Sequence, residues 1–383
     1  MGLLRLGVLA TSGKQDERRL PIHPLLVERI DADLRERIVL ERGYGERFGV
    51  SDSDLEPLVH RIGSREDVLA TSDVVLLPKP QPSDLAELRE GQVLWGWTHC
   101  VRDRGLTQVA VDKRLTLIAF EAMKYWNSDG SSGLHVFHKN NELAGYCSVL
   151  HALQLCGSTG DYGRRLRAIV IGFGATARGA VTALNAHGVH DVRVLTTREV
   201  AAVGSPIPSV RILRLDHDDD ASRPSHVLTD DGRVPLASFL AENDIIVNCT
   251  LQDPLAPSTY LRSEDLGAFR PGSLIVDVSC DEGMGFSWAR TTSFAEPMFD
   301  VGDHIHYYGV DHSPSYLWNS ATWEISEALL PFLRPVLEGP VAWARDETIR
   351  QAIVIHDGRI VNPAILAFQG RSPHYPHPVG RNA

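Results

Sequence analysis

The sequence predicts an α/β protein built from two Rossmann-like, parallel-sheet units, and three observations predict it. Short apolar runs separated by helical segments occur in two successive series. A glycine loop of the GxGxxA type opens the second series. The length, 383 residues, suits between two and three domains of ~150 residues. Strands alternating with helices imply parallel sheets, because a parallel neighbour needs a crossover.

In the first series LLRLGVLA (3–10), RIVLERG (37–43), DVVLLPK (73–79), QVLWGW (92–97) and LTLIAFE (115–121) read as strands. Pro24 to Leu34 reads as one helix opened by a proline, and Ser51–Asp54 offers caps for a short one. NSDGSSG (127–133) reads as a loop or hinge. NELAGYCSVLHALQLCG (141–157) has helical spacing, ends at Gly157, and is expected to join the two domains.

The second series begins with RAIVIGFGATARGAVTALNAHG (167–188). DVRVLTT (191–197), DIIVNCT (244–250), GSLIVDVS (272–279) and HIHYYGV (304–310) are its further strands. Between Thr197 and Asp244 the pattern is weak, and DHDDD (216–220) reads as a solvated loop. After Ser315, Leu317, Ile325, Leu329, Leu330 and Leu333 recur at helical offsets, and this helix is expected to return to the first domain. QAIVIHDGRIVNP reads as a hairpin turning at Asp357-Gly358. The last residues, GRSPHYPHPVGRNA, read as mobile. The expected domains are 1–140 with 315–383, for the substrate, and 141–314, for the dinucleotide.

The net charge is −11, which is not the footprint of a general nucleic-acid binder. Five scattered cysteines form no CxxC pair and suggest reduced thiols and a cytoplasmic protein without structural zinc. The start lacks a signal-peptide pattern, and no run reaches ~18 apolar residues, so no membrane span is expected.

The glycine loop carries the cofactor expectation. Gly172 permits a tight turn, Gly174 lets a pyrophosphate approach the backbone, and Ala177 keeps helix and strand close. Ala175 and Thr176 begin that helix, whose free N–H groups favour an anion. Cys249, Thr250, Val278 and Ser279 end later strands, where ligands of such sheets collect, and are further cofactor candidates. An NAD enzyme usually places a carboxylate at the end of the next strand. Here Thr196, Thr197 and Arg198 stand there, which suits the 2′-phosphate of NADP(H) over NAD(H). Glu199 follows at once, and a two-residue shift would restore NAD.

Three residues of the first series lie at or beyond strand carboxyl ends: Arg19, Lys79 and His99. An arginine forks onto a carboxylate, while a lysine and an imidazole move protons. Together they suit a 2-oxo acid. Trp97 and Tyr146 could shape a pocket or simply pack, and Lys139, Asn140 and Asn141 could touch substrate or cofactor or cap their helix.

These residues fall within ERRLPIHP (17–24), RGYGERFGVSD (42–52), LREGQVLWGWTH (88–99), HKNNELAGYCSVLHAL (138–153), IGFGATARGA (171–180), LIVDVSCDEG (274–283) and YGVDHSPSYLWNSATWEIS (308–326). In this set the sequence resembles the alanine dehydrogenase / lysine-forming saccharopine dehydrogenase superfamily, and within it the carboxyethylornithine synthases. The resemblance implies two domains flanking a cleft, with a C-terminal helix returning to the first. It implies Arg19 as the substrate arginine, Lys79 and His99 as catalytic residues, and Asp281 as a catalytic aspartate. Asp277 in the same block has a structural reading open to it. Segment 198–240 and the tail beyond 340 exceed what carboxyethylornithine synthases have, and Glu142 is a feature shared with alanine dehydrogenases.

The expected activity is NADPH-dependent reductive condensation of an amino-acid amine, ornithine- or lysine-like, with a 2-oxo acid such as pyruvate. The alternatives are an NAD-dependent amino-acid dehydrogenase of the alanine or saccharopine type, and a dinucleotide-binding module without catalysis. Small-molecule substrates and a homodimer are the expected partners.

Overall fold

The computed structural model describes residues 2–127, 129–197, 210–217, 224–253 and 255–380. Arg198, Glu199 and most of DHDDD lie outside the described residues. The chain divides into two compact units, Met1–His138 with Trp318–Ala383, and Lys139–Leu317.

The first unit is built on six parallel strands: β1 (Leu6–Val8), β2 (Ile38–Glu41), β3 (Arg61–Gly63), β4 (Val74–Leu76), β5 (Val93–Gly96) and β6 (Thr116–Ala119). Their order is β3-β2-β1-β4-β5-β6, the doubly wound arrangement, with its reversal point between β1 and β4. The central strands are largely apolar because both sheet faces are covered there, while the edge strand β3 exposes Arg61. Leu6, Leu40, Leu76, Trp95 and Ile118 face one core, which Ile325, Leu329 and Leu333 of the helix Trp318–Leu337 complete. Val39, Val75, Leu94 and Leu117 face the other, against Val68, Leu85 and Leu106. The C-terminal helix therefore does return to the first sheet.

Ile353–His356 and Arg359–Ile360 form an antiparallel hairpin on the β6 edge. Its two-residue turn has Asp357 at φ 48° and Gly358 at φ 73°, as an Asp-Gly turn requires.

Four readings of this unit and of the 210–243 segment need correction. NSDGSSG is not loop to its end: Ser132 and Gly133 begin β8 (Ser132–His135), which pairs antiparallel with β7 (Lys124–Trp126). The Pro24–Leu34 helix is broken into a 3-10 turn, Pro24–Arg29, and a short helix, Ala32–Arg35, because Ile30 and Asp31 are extended. The tail is fastened through residue 380, since the buried Arg371 guanidinium bonds Gln369, Gln108 and the carbonyl of the buried His377. The fourth is the stretch taken as weakly patterned, which contains three strands and a helix of the second unit.

That unit holds β9 (Arg167–Ile171), β10 (Asp191–Thr196), β11 (Arg211–His217), β12 (Pro224–Thr229), β13 (Gly232–Pro235), β14 (Ile245–Asn248), β15 (Thr259–Leu261), β16 (Leu274–Asp277), β17 (Gly285–Phe286), β18 (Met298–Val301) and β19 (Ile305–Tyr308). The main sheet runs β13-β12-β11-β10-β9-β14-β16-β19-β18. Its parallel centre repeats the doubly wound order of the first unit, and β12, β13 and β18 are antiparallel additions. Only every second residue of β11 is buried, with Leu213 and Leu215 inside and Arg211 and Arg214 outside. That half-apolar pattern, cut by charges, hid the strand. Asp216 of the DHDDD run belongs to β11 and pairs with Arg233 at 2.9 Å.

Among the described residues no helix is long and apolar enough to cross a membrane, and no disulfide is formed.

The loop that carries Arg19 is held by Thr322, Ser326 and a buried phenol. Tyr44, 1% exposed, donates to the Ile22 carbonyl at 2.7 Å and accepts from the Ile22 N–H at 3.1 Å. Tyr44→Phe strands both backbone groups and should cost about 1–3 kcal/mol. Urea unfolding of the two proteins checks this; an unchanged midpoint would show that the loop does not need the phenol.

Candidate functional site

The first unit gathers polar side chains at the carboxyl ends of its strands. Beyond β4 and β5 the chain continues in close contact, with Leu77 N–H on Trp95 O at 3.1 Å and Trp97 N–H on Pro78 O at 2.8 Å. A Cβ on Gly96 would lie 1.9 Å from the Leu77 carbonyl oxygen, so only glycine permits this approach. The Ser12 hydroxyl holds the Lys79 carbonyl. The result brings Lys79 Nζ to 3.2 Å from His99 Nε2.

His99 takes a left-handed conformation, φ 46°, which a residue with a Cβ adopts at a cost. The Glu121 carboxylate offsets it. It accepts from the His99 N–H at 2.6 Å, the Thr98 N–H at 3.2 Å and the Thr98 hydroxyl at 3.1 Å. Burial pushes the Glu121 carboxyl above its ordinary range, against these hydrogen bonds and the nearby Lys79 charge.

Arg19 is 6% exposed. Glu17 takes one edge of its guanidinium, Nε at 2.8 Å and Nη2 at 2.5 Å. The guanidinium stands 5.1 Å from the centre of the Trp97 ring. Trp97 itself is buried, edge-on to Phe120 at 5.0 Å and tilted against Phe137 at 5.3 Å. Arg19 and Trp97 are thus in contact, as are Lys79 and His99, and Trp97 lies two residues before His99.

In the second unit Gly172 follows β9 at φ 113°, and its N–H bonds the Leu195 carbonyl at 2.8 Å. A Cβ there would meet the Cys249 backbone at 3.0 Å, so the turn is kept for glycine. Gly174 precedes the helix Ala175–Ala186, whose first turn holds no carboxylate. Ala177 is fully buried against the sheet. Gly172, Gly174, Thr176, Thr196, Thr197, Cys249 and Thr250 border a cavity of about 410 Å³. A close-packed glycine turn, a helix N-terminus and a cavity at the strand ends fit a dinucleotide.

Below this cavity lies a buried polar chain. Asp277 is fully buried and accepts from Asn248 Nδ2, the Tyr307 hydroxyl and the Cys280 N–H, each at 2.9 Å. Asn248 Oδ1 in turn accepts from the Thr250 hydroxyl at 2.6 Å, and Thr250 meets the Tyr260 hydroxyl at 3.0 Å. Ser279 donates to the Thr250 carbonyl at 2.6 Å, and the Val278 N–H donates to the Asn248 carbonyl. Val278 and Ser279 therefore brace the cavity wall, while Cys249 and Thr250 line it. Asp281 follows Cys280, which is left-handed at φ 41°. Asn141 is half-buried on the helix His138–Leu155.

Sequence reasoning missed Glu17, Glu121 and Asn248. Glu121 ends the run LTLIAFE, so the strand-end rule that selected Lys79 and His99 reaches it too. Asn248 was visible as one amide in an apolar strand.

Burial pushes the Asp277 carboxyl up to about 6 from 3.8. A carboxyl raised by folding favours the protonated native state, so stability falls as pH rises from about 4 to 6 and stays lowered above. The rise corresponds to about 3 kcal/mol. Asp277→Asn removes the titration. Its stability relative to wild type should therefore improve between pH 4 and pH 7.5 by up to that amount, read from urea midpoints. A pH-independent difference would show that Asp277 does not titrate in this range.

The comparisons with known proteins match the chain in two successive stretches, the second of which runs on past Leu317 into the first unit's C-terminal helices. Residues 8–144 match the alanine dehydrogenase/PNT N-terminal domain, and residues 163–363 match the C-terminal domain. The alanine dehydrogenase of Halomonas elongata is 26% identical over 351 residues, 87% of this chain and 88% of that protein. The N(5)-(carboxyethyl)ornithine synthase of Clostridium botulinum is 25% identical over 336 residues, 85% of this chain and 92% of that protein. A solved L-alanine dehydrogenase shares the fold, with a TM-score of 0.73 at 21% identity over 95% of this chain and 99% of that one. Both halves of one family are present in order, and the chain belongs to the alanine dehydrogenase/PNT family of NAD(P)-dependent oxidoreductases.

Proposed function

We propose that this protein uses NADPH to join the amine of an amino acid to a 2-oxo acid such as pyruvate, giving an N-(carboxyalkyl)amino acid. The contact that carries this reading is Lys79 Nζ to His99 Nε2 at 3.2 Å, in the unit that also buries Arg19 against Trp97. The similarity to N(5)-(carboxyethyl)ornithine synthases supports the condensation, and the similarity to alanine dehydrogenases supports the shared redox step.

Arg19 holds the carboxylate of the oxo acid. Glu17 takes the Nε edge of the planar fork and fixes its orientation. The Lys79–His99 contact needs one nitrogen to donate and the other to offer a lone pair. The pair thus holds a proton between two bases. One partner takes the proton that the attacking amine loses on adding to the carbonyl. The other protonates the hydroxyl of the carbinolamine, which leaves as water. A dinucleotide would be held by Gly172, Gly174 and Thr176, and when bound it would supply the hydride that reduces an imine. The resemblance makes Asp281 a further catalytic candidate. Thr196 and Thr197, in place of a carboxylate, support NADPH over NADH.

NADPH oxidation is to be followed with pyruvate plus ammonia, and with pyruvate plus a panel including ornithine and lysine, with product masses recorded. Turnover with an amino acid and a product enlarged by a carboxyalkyl group is expected. Turnover with ammonia alone would replace condensation by simple amination. Lys79→Met should lower kcat by ~10²–10⁴ while NADPH affinity holds. Equal loss of both would make Lys79 structural.

A further inference from the structure

We infer that Arg214, on β11, takes part in recognising the 2′-phosphate of NADP(H), in addition to the Thr196, Thr197 and Arg198 that the sequence offers. The inference rests on the NADPH preference proposed above and adds a side chain from a second strand to it.

Thr196 ends β10, at the place where an NAD-selective protein of this fold puts a carboxylate on the ribose. β11 runs parallel beside β10, and the register sets Arg214 directly against Thr196. Residues so paired are about 4.8 Å apart and project to the same face of the sheet. That face is the one covered by the glycine-loop helix. Val194, two residues before Thr196, is buried against Ala177 and Ala180 of that helix, and Ile212, two before Arg214, packs on the same core. The cavity also reaches β11, because Leu215 borders it with Leu195, Thr196 and Thr197.

Arg214 is exposed, and its partner across β12 is the apolar Leu228. The nearby carboxylate on this face, Asp216, lies 2.9 Å from Arg233, which tempers its repulsion of a phosphate. A guanidinium beside a threonine hydroxyl at the ribose end is the donor set a phosphate monoester takes. The strand that supplies it lies in the stretch whose pattern was too weak to read from the sequence.

NADPH and NADH titrations, followed by nucleotide fluorescence, test the proposal on the full-length protein, with 2′,5′-ADP as competitor. Wild type should bind NADPH more tightly than NADH, and 2′,5′-ADP should displace it. Arg214→Ala should weaken NADPH and 2′,5′-ADP by about tenfold to a hundredfold and leave NADH unchanged. Arg214→Lys should recover part of the loss and keep the salt dependence. If wild type binds the two nucleotides alike and ignores 2′,5′-ADP, the NADPH reading itself falls, and this inference with it. If wild type prefers NADPH but Arg214→Ala binds it unchanged, or loses NADPH and NADH equally, only the assignment to Arg214 is overturned.

Discussion

The Glu121 carboxylate is the constraint on which the first unit's chemistry depends. His99 reaches Lys79 only because residue 99 turns left-handed, and a histidine pays for that conformation. Three hydrogen bonds to one half-buried carboxylate hold the turn. Two of them use backbone N–H groups, which would otherwise lack a partner at a strand end. Bonds to a charged acceptor are stronger than neutral ones, which suits a place where strain must be held. The anion is also close enough to Lys79 to feel its charge. It therefore shapes the turn and the field with the same atoms.

The second unit solves a similar problem the same way. Its fifth parallel strand, β16, ends at Asp277, and three residues later Cys280 is left-handed at φ 41°. In the first unit β5 ends at Gly96, and three residues later His99 is left-handed at φ 46°. In each case a carboxylate accepts the N–H of the left-handed residue, Asp277 for Cys280 and Glu121 for His99. The carboxylate comes from the same strand in one unit and from beyond the next strand in the other. Doubly wound sheets place ligands at strand carboxyl ends, where the regular ladder stops and backbone donors fall free. A buried acid is one way to satisfy those donors and fix a turn there.

The parts of the fold read directly from the sequence share one property: both of their faces are buried. Five of the six parallel strands in each unit stand out as mainly apolar runs, β3 and β11 being the exceptions, and the glycine loop stands out by composition. The Asp-Gly hairpin was legible because its turn chemistry is local. Elements with one solvated face were not. β11 mixes Leu213 and Leu215 with Arg211 and Arg214, and the short β7–β8 hairpin mixes Tyr125, Trp126 and Leu134 with polar residues. The bound tail was misread for a related reason. Arg371 and His377 look like solvent residues until Gln108 is brought to the Arg371 guanidinium and the Ile360 N–H to the His377 ring. Arg19, Lys79 and His99 could be chosen by position, but Glu17 and Glu121 owe their importance to burial, which spacing does not report.

Charge balance explains why those two glutamates accompany the cations. Arg19 is nearly excluded from water, and an unpaired guanidinium in such a place would be costly. Glu17, as buried as its partner, removes that cost by taking one edge of the fork. It also lowers the net field that an incoming carboxylate feels. In the proposed function, recognition of a carboxylate at Arg19 therefore rests more on the planar geometry of the guanidinium and on the Trp97 face than on bulk attraction. A site of that kind would discriminate by shape, since a planar carboxylate fits a fork and a spherical anion fits it poorly. For a substrate whose carboxylate adjoins its carbonyl, alignment of that sort is worth more than extra charge.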